Sequence, residues 1–538
     1  MSANKIASEI KLYECRCSTG SHFGTLHTTP TVIRDTSSNM DKMTKTIYPK
    51  KIELRGFERT VTMVDDISMK IVHSMFVAGD TKPLLRLLPL ALARTFNMHP
   101  RMRAVQVKTK DFTAEIQGPV TLEDIGTKNL LRIQQFSSTK DTFENWQRYA
   151  TDECNIAFDR YTQLPFFLTV WVNDSANQAR LMLFSDHYMS DGYSGMIVLN
   201  SILEQVAGLS KKGTDEQLKQ VQVKEFPLRA SFYENYLSDM WMFKPIVKGF
   251  VSLFGKTIYR HVVDNFKPVL PARSDQHDFV VPLVANSTSA CFAEGDPDCM
   301  RKTLARCKAE DVTFAGALVS AVVVAFYQAA KNEPDFDPEQ PFKFMVDLDY
   351  NMRKRVPKVA EEDHVGAFIA FADLEWLANE GVDTKTTSFW DLARRSKRVI
   401  DENLDHKKMM ATVTVIVDKF INAKTGLSFA EDVRMPNSLN SDANISNVGR
   451  YPYARDFSLT SDSKLTVKSL HVYNPIPHLA PSAIFFVSSV ESFCYSMGHK
   501  CEDEIGRNLF SAWVAVCENM GNIGANDTLA DVLQQLQL

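Results

Sequence analysis

Hydrophobic positions along this chain switch between two periods, and the switches mark out its elements. From Thr81 to Phe96, the residues Leu84, Leu85, Leu88, Leu92 and Phe96 recur at helical spacing. Pro83 suits a first helical turn, whereas Pro89 is expected to kink the helix. Pro100, in Asn97-Met98-His99-Pro100-Arg101-Met102-Arg103, ends it, and Ala104 to Lys108 then alternates as a strand does. Phe166 to Val172 and Arg180 to Ser185 are compact apolar runs that read as buried strands. A helix is expected from about Gly192 to Val206. Ser210 to Glu225 is dense in Lys, Gln, Asp and Glu and reads as an exposed linker or insertion.

The second half restarts with strand-like Phe279 to Val284. Asp311 or Thr313 can cap a long apolar helix that runs through Ala330. Phe342 to Leu348 predicts a strand ending at Asp349-Tyr350-Asn351-Met352-Arg353, and Ser388 to Leu404 a helix. Leu465 to Val472 and Ile484 to Ser488 read as strands, and Cys501 to Asn519 as a closing amphipathic helix. Strands and helices mixed in each half argue for two α/β lobes. Met1 to about Thr46, rich in Ser, Thr, Lys and Asp, has little periodicity and reads as a mobile tail. The expected division is a tail over 1–47, an N-terminal lobe over 48–210, a charged linker with an aromatic, basic helical segment over 211–275, and a C-terminal lobe over 276–538.

Length agrees with that division, since 538 residues exceed what one core holds. Hydrophobic residues at 44% and charged residues at 23% are ordinary for a soluble globular protein. A net charge of −4, with no long basic run and no zinc-finger spacing, points away from nucleic acid and towards a small-molecule substrate. The nine cysteines are scattered, with Cys15 and Cys17 lacking a second pair at metal spacing, so free thiols in a reducing compartment are expected. The N-terminus lacks the apolar core of a secretory signal, and no run of about 18 apolar residues is present. A cytoplasmic protein, at most peripheral to a membrane, is expected. Tyr233 to Phe266 leaves two readings open, because Trp241, Phe243, Ile246, Phe250, Phe254 and Ile258 are interleaved with Lys244, Lys248, Lys256 and Arg260. It is either a core helix with a solvated basic face or a helix lying on a membrane or lipid-droplet surface.

The chemistry concentrates in Ser185-Asp186-His187-Tyr188-Met189-Ser190-Asp191-Gly192. An apolar strand delivers His187 to a loop, and an apolar helix follows Gly192. An imidazole takes and returns a proton near neutrality, so His187 is the candidate general base. Asp191, four residues on, could face the ring or turn away and lock the loop through an arginine. Gly192 lets the chain turn without a Cβ clash. Gly192-Tyr193-Ser194-Gly195 is one residue short of a nucleophile elbow, which leaves Ser194 an ordinary helix residue. His187 and Asp191 lack a third metal ligand nearby. His99 reads as a capping or packing residue, and His364 and His471 as structural. No phosphate-cradling glycine motif is present.

H-x-x-x-D-G at His187, Asp191 and Gly192 resembles the signature of the chloramphenicol-acetyltransferase-like superfamily, which includes condensation domains, polyketide-associated acyltransferases, alcohol acetyltransferases, plant BAHD acyltransferases and wax ester synthases. The residue before the catalytic histidine is Asp186 where many members carry a second histidine, and the plant D-F-G-W-G motif is not visible. His99-Pro100-Arg101-Met102-Arg103 resembles the family's H-x-x-L-R segment, which makes Arg103 the first-choice partner of Asp191. Arg353 resembles a second arginine segment, Val365-Gly366-Ala367-Phe368 the short strand after it, and Asn444-Ile445-Ser446-Asn447-Val448-Gly449 the S-N-x-G strand end that faces the tunnel.

The resemblance covers about residues 50 to 520. It implies two similar lobes, each a mixed sheet with helices, and an active-site tunnel between them. It implies an acyltransferase in which His187 deprotonates a hydroxyl or amine attacking a thioester, Asp191 fixes the loop, and Ser446, Asn447 or backbone N–H groups near Gly449 hold the oxyanion. No cofactor is expected to stay bound. With no adjoining carrier domain, a coenzyme A thioester is the expected cosubstrate, and the chain is expected to act as a monomer. Two alternatives stay open: a lipid acyltransferase of wax ester or diacylglycerol type at a membrane surface, or a condensation-like domain that uses a carrier-protein thioester or only binds.

Overall fold

The computed structural model describes residues 48–136, 143–212, 220–280, 283–356, 364–420, 435–478 and 480–538. The tail expected over 1–47 lies outside the described residues. Two six-stranded mixed sheets organise the rest. The first runs, in spatial order, Asp456–Ser458, Lys464–Tyr473, Lys70–Gly79, Gln178–Asp186, Phe166–Asn173 and Leu131–Phe136, with the last pair parallel. The second runs Ile369–Asp373, Val346–Asn351, Leu439–Arg450, Ala480–Ser489, Phe493–His499 and Ser289–Glu294, and its central strand Leu439–Arg450 is parallel to both neighbours. A three-stranded sheet pairs Lys50–Glu53 and Ala104–Gln106 with Thr113–Ile116. The fold is therefore the expected two-lobed α/β architecture.

Most strands form where the apolar runs predict them; the one expected over Phe342 to Leu348 is displaced to Val346–Asn351, with Phe342 making only an isolated bridge to Val382. Phe166 to Val172 and Ala480 to Ser489 are buried at every position, as strands covered on both faces must be. A single helix, Thr81–Met98, runs through Pro89. The hydrogen bond that Pro89 removes is outweighed by its neighbours, since Leu84, Leu88, Leu92 and Phe96 are all fully buried. The helix Phe314–Ala330 begins at Thr313, whose side chain accepts from the Gly316 amide. Phe279 to Val284 differs from expectation: Phe279 forms only an isolated bridge to Met435, and residues 281–282 lie outside the described residues.

Two features join the lobes. Asp456–Ser458 and Lys464–Tyr473 belong to the second half of the chain, yet they hydrogen-bond into the first sheet, so a cut at about residue 276 does not separate the two sheets. The strand Lys464–Tyr473 also touches the second sheet. Ser488 Oγ donates to Leu470 O, and His471 Nε2 donates to Ala293 O at 3.1 Å, which gives His471 the structural place expected of it. Burial holds the His471 ring neutral, with a pKa pushed down to about 3.

Candidate active site

The strand Gln178–Asp186 pairs antiparallel with Lys70–Gly79, and the ladder carries one step further, with the His187 amide donating to Met69 O at 3.0 Å. The chain then turns, with Met189 N donating to Asp186 O at 3.0 Å. His187 Nδ1 lies 2.8 Å from Ser190 O. A carbonyl only accepts, so Nδ1 carries a proton, and in the neutral ring the lone pair is left on Nε2. Phe57 packs edge-on to the imidazole, with ring centroids 5.0 Å apart, and fixes its plane.

Asp191 turns away from this ring. Its carboxylate accepts from the Ser194 amide at 2.7 Å, which caps the helix Gly192–Lys212. It also accepts from the Phe368 amide at 2.9 Å and from both arms of Arg353, at 2.9 and 3.0 Å. Burial alone would raise the Asp191 pKa, but the Arg353 charge and these hydrogen bonds hold it below the usual carboxylate range. Arg353 itself also donates to Ser194 Oγ, His364 O and Gly366 O. One buried ion pair thus ties the histidine loop of the first half to the Arg353–Phe368 segment of the second. Ser194 has the ordinary helix position expected of it and is spent on this joint, with Oγ also bound to the Gly366 amide and carbonyl.

His187 and Gly192 open onto a cavity of about 290 Å³. Its walls include Met69, Ile71, Ile416, Val417, Ile484 and Phe486, a mostly apolar lining suited to an organic ligand. Gly192 does not adopt a left-handed conformation; a Cβ there would lie 3.2 Å from Val448, so its smallness lets the strand Leu439–Arg450 approach. Two adjacent strands bring polar groups to the cavity that His187 lines, Asp347 and Asp349 from Val346–Asn351 and Asn444 and Ser446 from Leu439–Arg450, while Thr60, Asn474 and His478 line it from elsewhere in the chain. Asn444 Nδ2 donates to both carboxylates, at 3.1 Å to Asp349, and Ser441 Oγ donates to Asp347 at 3.1 Å.

Burial pushes the pKa of Asp349 up, opposed by hydrogen bonds from Asn444 and Ser446 and by the nearby His187. Asp347 is pushed up further, first by burial and then by Asp373 and Asp349. A carboxyl whose folded pKa is raised favours folding most when protonated, and that contribution is lost as pH rises through the folded value. Asp347→Asn is therefore expected to stabilise the protein at pH 8 by on the order of 1 kcal/mol, and to do less at pH 4, where the folded carboxyl is protonated and already neutral. Thermal unfolding of the variant and the wild type at both pH values checks this; an equal shift at the two values would exclude a charged Asp347 as the cause.

The strand-to-loop histidine, the inter-lobe ion pair and the cavity between the sheets meet a sequence match of the same kind: the alcohol acetyltransferase family model matches residues 110–499. The chain belongs to the alcohol acetyltransferase family. Its fold is that of the chloramphenicol-acetyltransferase-like superfamily. The first condensation domain of the CDA synthetase aligns at a TM-score of 0.62 and 11% identity, covering 90% of this chain and 98% of that one. The trichothecene 15-O-acetyltransferase TRI3 from Fusarium sporotrichioides aligns at 0.60 and 12%, covering 88% and 94%. SgcC5 from Streptomyces globisporus aligns at 0.56 and 13%, covering 88% and 99%. No curated protein sequence matches.

Within this member of the alcohol acetyltransferase family, one sequence expectation is overturned. Arg103 is not the partner of Asp191. Its guanidinium is bound to Glu225, with Tyr48 above it at 5.1 Å and Gln117 O at 2.9 Å, while Arg353 takes the aspartate. The H-x-x-L-R resemblance could not reveal this, because Glu225 sits in the stretch read as an exposed linker. Instead the helix extends to Lys212, and the chain returns across the first lobe, where Phe226 N donates to Met98 O. Burial opposes ionisation of Glu225, but Tyr48 and Arg103 hold its carboxyl below the ordinary range.

Of the predicted oxyanion residues, Ser446 lines the cavity, whereas Asn447 and Gly449 are not among its lining residues. Side chains alternate along a strand, so Asn444 and Ser446 share the cavity face and Asn447 does not. Gly449 is still required by geometry: its φ of +90° lies beside a register shift between this strand and Ala480–Ser489. His99 packs as expected, with Nε2 3.0 Å from Ser201 Oγ. His364 is structural too, accepting from Arg229 Nε at 3.1 Å.

Two supporting residues escaped the sequence reading. Arg160 donates to Asp186 at 2.7 Å in a fully buried pair, which explains why an aspartate stands before His187. His73 Nε2 donates to Gly192 O at 2.9 Å under the helix start, and burial pushes its pKa down to about 4, so it serves as a neutral donor. Gly195 leaves room for that ring, since a Cβ there would fall 2.2 Å from it. The signal for His73 was its place on an otherwise apolar, buried strand; Arg160 stands in a polar turn between Cys154 and Phe166 and left no local signal.

Proposed function

We propose that this protein transfers an acyl group from a coenzyme A thioester to a hydroxyl or amine acceptor, with His187 as general base. The observation that carries the reading is the His187 ring, bound through Nδ1 to Ser190 and held edge-on by Phe57 at the wall of an apolar cavity between the lobes, which leaves Nε2 as the basic nitrogen of the neutral imidazole. Nε2 removes the acceptor's proton as its oxygen or nitrogen attacks the thioester carbonyl. The C–S bond then breaks, and His187 returns the proton to the thiolate. Ser446 is the cavity side chain best suited to hold the oxyanion. It lines the cavity together with Asp349, whose carboxyl burial biases towards the protonated form, and a protonated Asp349 would donate to Ser446 and free that hydroxyl to donate in turn. Asp191 and Arg353 hold the loop and take no part in moving the proton.

The test is thiol release from acetyl- and longer acyl-coenzyme A, measured with a panel of alcohols and amines. Acceptor-dependent release with formation of the matching ester or amide supports the reading. Turnover only of a thioester tethered to a carrier protein, or no acceptor dependence at all, would overturn it.

A further inference from the structure

The helix Phe243–Asn265 has two apolar faces, and only one is used inside the protein. Val247 and Val251 are buried towards the helix Lys407–Phe420. Met242, Ile246, Phe250, Leu253 and Phe254 point the other way, exposed by 47% to 76%, and Trp241 just before the helix is 75% exposed. These six make up half of the twelve large hydrophobic residues that are exposed among the described residues. They fall at helical spacing, so they form one continuous stripe. From Trp241 to Val263 the chain carries Lys244, Lys248, Lys256 and Arg260 and no Asp or Glu, although the whole protein has a net charge of −4. Lys244 and Lys248 turn to the packed side, over the Tyr233 ring at 5.0 and 5.9 Å, while exposed Lys407 and Lys408 at the start of the neighbouring helix supply a basic border, Lys408 lying 5.9 Å from the Phe243 ring.

We propose that this stripe seats the protein on an anionic lipid bilayer, with the helix lying in the plane of the headgroups. Aromatic and aliphatic side chains bordered by lysines match the chemistry of a lipid surface, where the stems bury and the ammonium groups meet phosphates. A protein partner fits less well, because lysine is depleted at protein interfaces. The proposal stands whether or not His187 is the base. Should the proposed transfer hold, the seat also orients the cavity, because the helix Lys407–Phe420 that packs beneath the stripe puts Ile416 and Val417 into the cavity wall. A membrane-dissolved alcohol would then be one helix away from His187.

The test is flotation of the full chain with vesicles of phosphatidylcholine alone or with about 30% phosphatidylserine, at low and high salt. Binding is expected to the anionic vesicles and to weaken with salt. The exposed pair Phe250→Glu with Phe254→Glu is expected to weaken partitioning on the order of 100-fold, with thermal unfolding and thiol release from the acyl donor in the presence of a water-soluble acceptor unchanged. Lys407→Gln with Lys408→Gln is expected to cost roughly tenfold on anionic vesicles only. Quenching by brominated lipid that disappears in Trp241→Phe gives an independent reading on a conservatively altered protein. The proposal is overturned if the wild type does not float, if the phenylalanine variant floats equally well, or if sedimentation shows a dimer that the variant dissociates. Flotation that begins only after residues 1–47 are removed would also overturn it, by making that segment the occupant.

Discussion

His187→Ala is expected to lower kcat by roughly 100- to 10,000-fold, with the KM for the acyl donor close to wild type. The imidazole contributes no fold-defining contact beyond its 2.8 Å hydrogen bond to Ser190 O and the edge of Phe57, so thermal stability should change by about 1 kcal/mol or less. A base that acts only as the acceptor attacks is absent from the ground state, which is why kcat should fall while donor binding persists. The vacated space adjoins the 290 Å³ cavity, so imidazole added to the medium should restore part of the activity to His187→Ala. The check is acceptor-dependent thiol release with and without imidazole. Wild-type rates in the alanine variant would sink the general-base role, and a collapse of thermal stability would assign His187 to the fold. Ser446→Ala should lose less, about 100-fold or below, because backbone donors can share an oxyanion.

What the sequence revealed and what it hid follow one division. His187, Gly192 and the helix after them were legible because they adjoin along the chain, and an apolar strand, a polar loop and an apolar helix leave a local pattern. The buried strands Phe166–Asn173, Gln178–Asp186, Lys464–Tyr473 and Ala480–Ser489 were legible for the same reason, whereas Lys70–Gly79 was not read. Three kinds of feature were not. The partner of Asp191 lies 162 positions away, and two arginines with similar local surroundings competed for it; only the packing of the lobes decides for Arg353. Asp347 and Asp349 stand in a strand whose alternation is plain, but their meeting with Asn444 depends on the register of a parallel neighbour from another part of the chain. Glu225 looked like solvent-facing charge because the residues before it are charged, whereas its burial comes from Tyr48 and Arg103 at distant positions. Local chemistry is written locally, and charge pairing across lobes is written only in the fold.

The ion pair that sequence could not assign carries the largest stability prediction. Arg353→Met should destabilise the protein by about 3–5 kcal/mol, because it strands the Asp191 carboxylate in a site where both side chains are nearly inaccessible. For a lobe-sized unfolding unit that corresponds to a fall in Tm on the order of 10 °C. The sign of the pH dependence separates this cause from lost packing. In the wild type the folded pKa of Asp191 is depressed, so its contribution is present above the ordinary carboxylate value of about 3.9 and is lost as pH falls through the lower folded value. Without Arg353, burial dominates and raises the folded pKa, so the variant loses stability as pH rises through the carboxylate range. The deficit should therefore widen from pH 4 to pH 7. Adding Asp191→Asn should recover part of it, since the amide is neutral and its oxygen can still cap Ser194 or accept from Phe368. Arg353→Lys should not recover it, because one ammonium cannot replace a fork that meets both carboxylate oxygens along with Ser194, His364 and Gly366. A deficit that is the same at pH 4 and pH 7, with no gain from the second substitution, would make Arg353 a packing residue. Activity should fall with stability in this series, because Asp191 sits between His187 and the helix that follows, and an unpinned loop no longer aims Nε2 at the cavity.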